Sequence, residues 1–189
     1  MKDPNGGRRS LRTGWSSPPS TSPRRFYLGA PPSWTFREPK RVLTAGMIVL
    51  PMYQVVLDTN VLVSALRSKR GASHRLMRLI GDARWQVIIS VALVLEYEAV
   101  ALRHCASLGI RASVATDIVD IFCAAGRQSP IHFRWRPLLR DPGDEFILDL
   151  AVAGQCQFIV THNKRDFEGV EQFGIRAVTP REFLAIIGE

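Results

Sequence analysis

From residue 53 onward the apolar positions follow two alternating periods. Tyr53–Leu57 (YQVVL) is a short β-branched run that reads as a strand. The next segment, Asp58–Leu66, repeats its apolar residues at helical spacing, and Ser73–Gly81 forms a second helix with Leu76, Leu79 and Ile80 on one face. Trp85–Ile89 (WQVII) is another strand, and Ser90 is placed to cap a long helix running to about Cys105. A further helix is predicted over Thr116–Ala125, with Ala115 or Ser113 near its start, and a short strand over Ile131–Phe133. Asp141-Pro142-Gly143 forms a turn into a helix over Asp144–Ala153. Strands follow at Gln157–Thr161 and Ile175–Val178, and Thr179-Pro180 supplies a cap and a first-turn proline for a last helix to about Ile187. No internal repeat is visible. Strands alternating with helices of ten or so residues predict an α/β fold with a central, mainly parallel sheet flanked by helices. In such folds, functional groups gather at the carboxyl ends of the strands.

Composition divides the chain in two. Residues 1–41 hold nine Lys/Arg, two acids and seven of the twelve prolines, with no period of 2 or 3.6. The rest is nearly neutral, with sixteen Lys/Arg against fifteen acids, so the net charge of +8 belongs to the N-terminal segment. Residues 1–51 are therefore expected to be a disordered tail or the product of a start codon assigned too far upstream, with Met47 and Met52 as alternative starts. The Arg/Ser-rich, acid-poor beginning also fits an organelle transit peptide. Residues 52–189 are expected to form one domain. Three separated cysteines (Cys105, Cys123 and Cys156) argue against a disulfide framework and a cysteine-based zinc site. No apolar run is long enough for a membrane helix, and Val42–Met52 is interrupted by Pro51.

Acidic and polar residues collect at the predicted strand ends. Asp58 follows YQVVL, with Asn60 and Ser64 on the helix leaving it; Ser90 follows WQVII; Asn163 and Asp166 follow QFIVT. Glu96 and Asp144 lie on helices that such a sheet would bring alongside. Gathered carboxylates disfavour one another's ionisation. A divalent cation such as Mg²⁺ would offset that repulsion and hold waters that can attack a phosphodiester. Each acid also has a structural reading. Asp58 can cap its helix, Glu96 can be a solvated helix residue as Glu98 is expected to be, Asp141 and Asp144 can serve the turn and the helix dipole, and Asp166 can begin a turn. Asp149 is expected to face solvent.

The runs VVLDTNVLVSAL, IISVALVLEYEAVALR and DPGDEFILDLAVAGQCQFIVTHNKRDF, in that order, resemble the PIN-domain family. They are most similar to the bacterial PIN-family toxin components of toxin–antitoxin systems. The resemblance spans roughly residues 52–187 and implies a three-layer α/β sandwich and a metal-dependent ribonuclease. By position it implies Asp58, Glu96 and Asp144 as catalytic acids that hold Mg²⁺ or Mn²⁺, joined by Asp166. Thr59, Asn60, Ser90, Thr161 and Asn163 are the implied supports of those ligands or contacts to phosphate. The family's fourth acidic position commonly reads Thr-x-Asp; here Asn163 stands there, with Asp166 three residues on, which leaves one metal or two open.

The implied partners are an RNA substrate and a cognate antitoxin protein, with no membrane; a homodimer is left open and a cytoplasmic location is expected. Arg67, Lys69, Arg70, Lys164 and Arg165 are candidates for a basic rim. His162 is a candidate substrate contact or plain polar surface. HFRWRPLLR (residues 132–140) interleaves basic and aromatic residues and can either stack an unpaired base or cover the core edge. The competing function is a non-catalytic PIN-like module that binds protein or RNA. A haloacid-dehalogenase-type phosphoacceptor site at Asp58 would want an acid at residue 60, which is Asn.

Overall fold

The structure is a computed structural model, and it describes residues 40–41, 51–135 and 138–189. Nearly all of the expected tail, residues 1–51, therefore lies outside the described residues. Its exceptions are β1 (Lys40–Arg41), which pairs antiparallel with Pro51–Met52, and the first residue of β2 (Pro51–Leu57). All described residues fall in one compact unit, Ser33–Glu189.

The chain then runs through α1 (Thr59–Arg67), α2 (Ala72–Arg78), β3 (Trp85–Ile89), α3 (Val91–Leu108), α4 (Ser113–Ala125) and β4 (Arg127–Gln128). It continues through α5 (Glu145–Ala153), β5 (Phe158–Val160), two short 3-10 turns (Lys164–Phe167 and Val170–Phe173), β6 (Arg176–Val178) and α6 (Pro180–Ile186). The strand order is β4-β3-β2-β5-β6, all parallel. Such strands are covered on both faces, which is why they read as continuous apolar runs. Val55, Val56 and Leu57 of β2, Ile88 and Ile89 of β3, and all of β5 are buried.

Most elements follow the sequence pattern. Ser90 caps α3 by accepting from Leu93 N at 3.2 Å. Gly109 ends that helix at φ 65°, a left-handed position that costs glycine little. Thr179 and Glu182 close a reciprocal capping box at α6. One expectation fails. No strand forms at Ile131–Phe133; the edge strand is β4, four residues earlier, with Arg127 and Gln128 level with Ile88 and Ile89. A two-residue exposed strand carries no alternating apolar signal, so its position is set by pairing with β3 rather than by local preference. Helix α4 begins at Ser113 from Ala112, with no side-chain cap.

The connection leaving β2 runs to β3 on one side, and that leaving β5 runs to β6 on the other. The gap between the carboxyl ends of β2 and β5 is thus the topological switch point, where open α/β sheets place their ligands. Right-handed crossovers put the helices between β2 and β4 on one face and α5 on the other.

Candidate active site

Asp58 stands at that gap. Its N–H donates to Val160 O at 2.9 Å, fixing the end of β2 against the end of β5, and its side chain caps α1. The residue is only 4 % exposed. One carboxylate oxygen, Oδ1, accepts from Asn60 N and Thr59 Oγ1, both at 3.3 Å. The other, Oδ2, accepts from Asn60 Nδ2 at 2.5 Å and Thr161 Oγ1 at 2.7 Å. Burial raises its pKa above the ordinary value, while these hydrogen bonds, Thr161 foremost, partly oppose the shift. The helix-cap role and a site role are compatible, since the cap uses only part of the carboxylate's capacity.

Thr161, fully buried after β5, is the hub. Besides donating to Asp58, its Oγ1 accepts from Asn60 Nδ2 and from Asn163 N, each at 3.0 Å. Asn163 Nδ2 in turn donates to Asp166 Oδ2. Asn60, Thr161, Asn163 and Asp166 are thus one polar chain leading out from Asp58. Asp144, just ahead of α5, joins them electrostatically. Its pKa is pushed up to about 7 by burial first, then by the negative charges of Asp58, Asp141 and Asp166. Asp141 also serves the turn, accepting from Gly143 N at 2.8 Å.

Two site candidates stand apart. Ser90 Oγ is used in capping α3. Glu96 is exposed, and its side chain makes no hydrogen bond or ion pair among the described residues. It is three residues past Leu93 and four before Val100, both buried, so it borders the buried stripe of α3. Its neighbour Tyr97 is fully buried and donates to Leu57 O at 2.5 Å, which brings the second turn of α3 to the end of β2. Tyr97, whose pKa burial and the Asp58 charge raise well above normal, is a site neighbour that the sequence reading missed. The only signal was its place on the apolar stripe.

The expectation for Asp149 needs a correction. Asp149 does not face solvent; it is 2 % exposed and accepts from Trp135 N at 2.8 Å. Glu145, 1 % exposed, accepts from Leu138 N at 2.7 Å and Leu139 N at 2.8 Å through Oε1, while Oε2 is buried with no hydrogen-bond partner among the described residues. EFILDLAVA is apolar on every face apart from its acids, the pattern of a wholly buried helix. Its acids were therefore bound to need internal donors.

His162 is tied down as well: its Nε2 lies 2.8 Å from Ser73 Oγ on α2, and its N–H donates to Asn60 Oδ1 at 3.1 Å. Lys164 and Arg165 are exposed beside Asn163, and Lys164 pairs with Glu182 at 2.9 Å. Arg67, Lys69 and Arg70 are exposed at the far end of α1, roughly 13 Å of helix from Asp58.

The donor set suits a hard divalent cation, since it consists of carboxylate, amide and hydroxyl oxygens. The mutual repulsion recorded at Asp144 is the feature a cation would relieve. The side chains do not stand as a finished cage, however. Among the described residues no three His, Cys, Asp or Glu side chains are grouped closely enough to hold one ion.

A comparison with curated proteins gives no match. Among solved structures, the chain is similar to one titled VapBC2 from Rickettsia felis bound to a DNA fragment from its promoter, at 16 % identity and TM-score 0.47, covering 67 % of this chain and 98 % of that one. It is also similar to VapBC-1 from nontypeable Haemophilus influenzae, at 14 % identity and TM-score 0.46, covering 68 % and 98 %. The sequence model of the PIN domain matches residues 54–165, a span that includes Asp58, Glu96, Asp144 and Asn163 and stops one residue short of Asp166. With more than half of its length matched and a parallel sheet that puts Asp58 at the switch point, the chain belongs to the PIN domain family.

Proposed function

We propose that this PIN domain is a Mg²⁺- or Mn²⁺-dependent endoribonuclease, the toxin of a toxin–antitoxin pair, held in check by a cognate antitoxin in the cytoplasm. What supports the reading is the electrostatic coupling of Asp144 to Asp58 at the switch point, where burial first, and then the charges of Asp58, Asp141 and Asp166, push the Asp144 pKa up to about 7. Carboxylates placed against one another lower the stability of the empty site, and an arrangement of that kind marks functional sites more often than structural ones. The toxin assignment rests on the resemblance of the three motifs.

Asp58, Asp144 and Glu96 would hold the cation, with Asp166 at the margin. The cation would supply a bound water of lowered pKa and neutralise charge on the scissile phosphate. The remaining roles belong to the chain. Asn60 donates to both oxygens of Asp58, from N to Oδ1 and from Nδ2 to Oδ2, and Thr161 donates to Oδ2 as well, which fixes the carboxylate plane. Asp144 sits near half-protonation at neutral pH and must release its proton to bind a cation. Lys164 and Arg165, exposed beside Asn163, are placed to meet RNA phosphates. Glu96 would have to approach from the second turn of α3, which Tyr97 ties to the end of β2.

A non-catalytic binding module is the second reading, favoured by Asn163 at the fourth acidic position and by its pairing with Asp166. RNA cleavage by the full chain, measured with Mn²⁺ and with EDTA, decides between them. Cleavage that needs Mn²⁺ and is lost in Asp58→Asn supports the nuclease. Absence of cleavage, or cleavage that persists in EDTA, overturns it.

A further inference from the structure

The segment before Asp141 is held by an unusual device. Two nearly fully buried carboxylates on α5, Glu145 and Asp149, accept from backbone N–H groups of Leu138, Leu139 and Trp135. Charge-assisted bonds of this kind fix a loop firmly. The loop nevertheless turns large aromatics outward, with Phe133 76 % exposed and Trp135 43 % exposed. The Trp135 ring is braced edge-on against Phe173 at 5.3 Å, which joins this loop to the 3-10 turns that follow Asp166. Exposed His132 and Arg134 flank Phe133. A single exposed aromatic needs no explanation. A pair on a pinned backbone, alternating with basic groups and lying along the first two turns of the helix that Asp144 begins, does.

We infer that Phe133 and Trp135 form a stacking platform for an unpaired RNA base next to the carboxylate site, with Arg134 meeting the adjoining phosphate. This rests on the ribonuclease reading and names the residues that would take an unpaired base beside that site. Aromatic faces accept any base, whereas paired bases keep their faces covered in the helix. A rigid backbone suits the task because little ordering entropy is lost when the base arrives. The interleaved positive charge favours nucleic acid over an apolar protein partner.

The test uses the full chain in EDTA, with a fluorescently labelled short RNA presented single-stranded and as a duplex of the same sequence. Phe133→Ala should weaken single-strand binding about tenfold, the usual scale for losing one base–aromatic stack, and leave duplex binding and melting temperature unchanged. Phe133→Trp should restore binding. No single-strand binding by the wild type, or Phe133→Ala binding both RNAs as the wild type does, overturns the platform; the latter leaves the aromatics to a protein partner. Equal losses on both RNAs also overturn it. The two readings fail separately. Wild type that binds single strands through Phe133 but never cleaves with Mn²⁺ ends the nuclease and keeps the platform. Phe133→Ala that binds and cleaves like wild type does the reverse.

Discussion

Strands β2 and β5 carry a buried polar cluster at each end, and the two clusters are built on opposite principles. At the amino end, Gln54 N donates to Gln157 Oε1 at 2.7 Å. Arg127 donates to Gln54 Oε1 through Nε at 3.2 Å and Nη2 at 3.0 Å, and to Gly154 O at 2.9 Å. Donors meet acceptors there, and the one formal charge on this network is a guanidinium facing neutral oxygens. At the carboxyl end, Asp144 feels the negative charges of Asp58, Asp141 and Asp166, and the pKa values of Asp58 and Asp144 rise, burial being the largest cause for each. Both clusters contain buried residues: Gln54 is 5 % exposed and Asp58 4 %. Burial therefore does not separate structural from functional polarity. What separates them is whether the cluster is complete in itself.

The largest expected effect lies in activity. Asp58→Asn and Asp144→Asn should each lower RNA cleavage by about a hundredfold or more, because loss of even an outer ligand contact costs ten- to a hundredfold. Arg127→Met should cleave RNA at the wild-type rate. If Arg127→Met alone lost cleavage, the contrast between the two ends would collapse.

In stability the order reverses. Arg127→Met strips the buried Gln54 Oε1 and the Gly154 carbonyl of their donors, which costs about 1–3 kcal/mol. Its melting temperature should fall by roughly 3–10 °C for a domain of this size. A fall under one degree would show that the amino-end network contributes little.

Asp144→Asn should instead raise the melting temperature, in a pH-dependent way. Its folded pKa of about 7 lies above the ordinary 3.8. The folded state therefore holds the proton more tightly than the unfolded one, and the stability this provides is lost as pH rises from about 4 through 7. The asparagine variant never bears that charge. Its advantage should be absent at pH 4 and reach about 2 °C at pH 8, modest because the group is half-exposed. Melting curves across pH check this; an advantage that is flat with pH would contradict it. Asp58→Asn should gain less or lose slightly, since the new amide would face the Asn60 Nδ2 donor. Asn163→Asp should lower metal-free stability by about 1–2 °C, as it places a carboxylate where Asn163 now donates to Asp166.

The smallest effect is expected at the N-terminus. A chain beginning at Met52 gives up only the pairing of Lys40–Arg41 among the described contacts. Its melting temperature should stay within about 2 °C, and a drop of several degrees would give the segment a structural role.

How much of this was legible in the sequence follows from the physics of each element. Strands β2, β3 and β5 were readable because parallel strands buried on both faces leave unbroken apolar runs. Strand β4 was not, because its two residues are exposed and owe their conformation to β3. Asp58, Asn60 and Thr161 could be singled out from the sequence because each ends a strand or starts a helix. Ser90 was found by the same rule, and its hydroxyl is used in the cap. Asp149 was misplaced because an acid on a helix is ordinarily solvated, and its donor sits on a loop with no periodic signal. The electrostatic joining of Asp144 to Asp58 across 86 residues left no local pattern; it was legible only through the rule that parallel sheets gather groups at their strand ends, sharpened by the family resemblance.

Under the proposed function, the carboxyl-end acids would be arranged around a cation that the amino end does not need. Mn²⁺ binding to the full chain, followed by titration calorimetry in parallel on wild type, Asp144→Asn and Arg127→Met, tests it most directly. The expected result is binding by wild type that tightens as pH rises toward 7, roughly tenfold per unit while Asp144 is being deprotonated, a loss of at least about tenfold in Asp144→Asn, and wild-type affinity in Arg127→Met. Wild type that binds no Mn²⁺ at pH 8, or Asp144→Asn that binds it as tightly as wild type, would contradict the account.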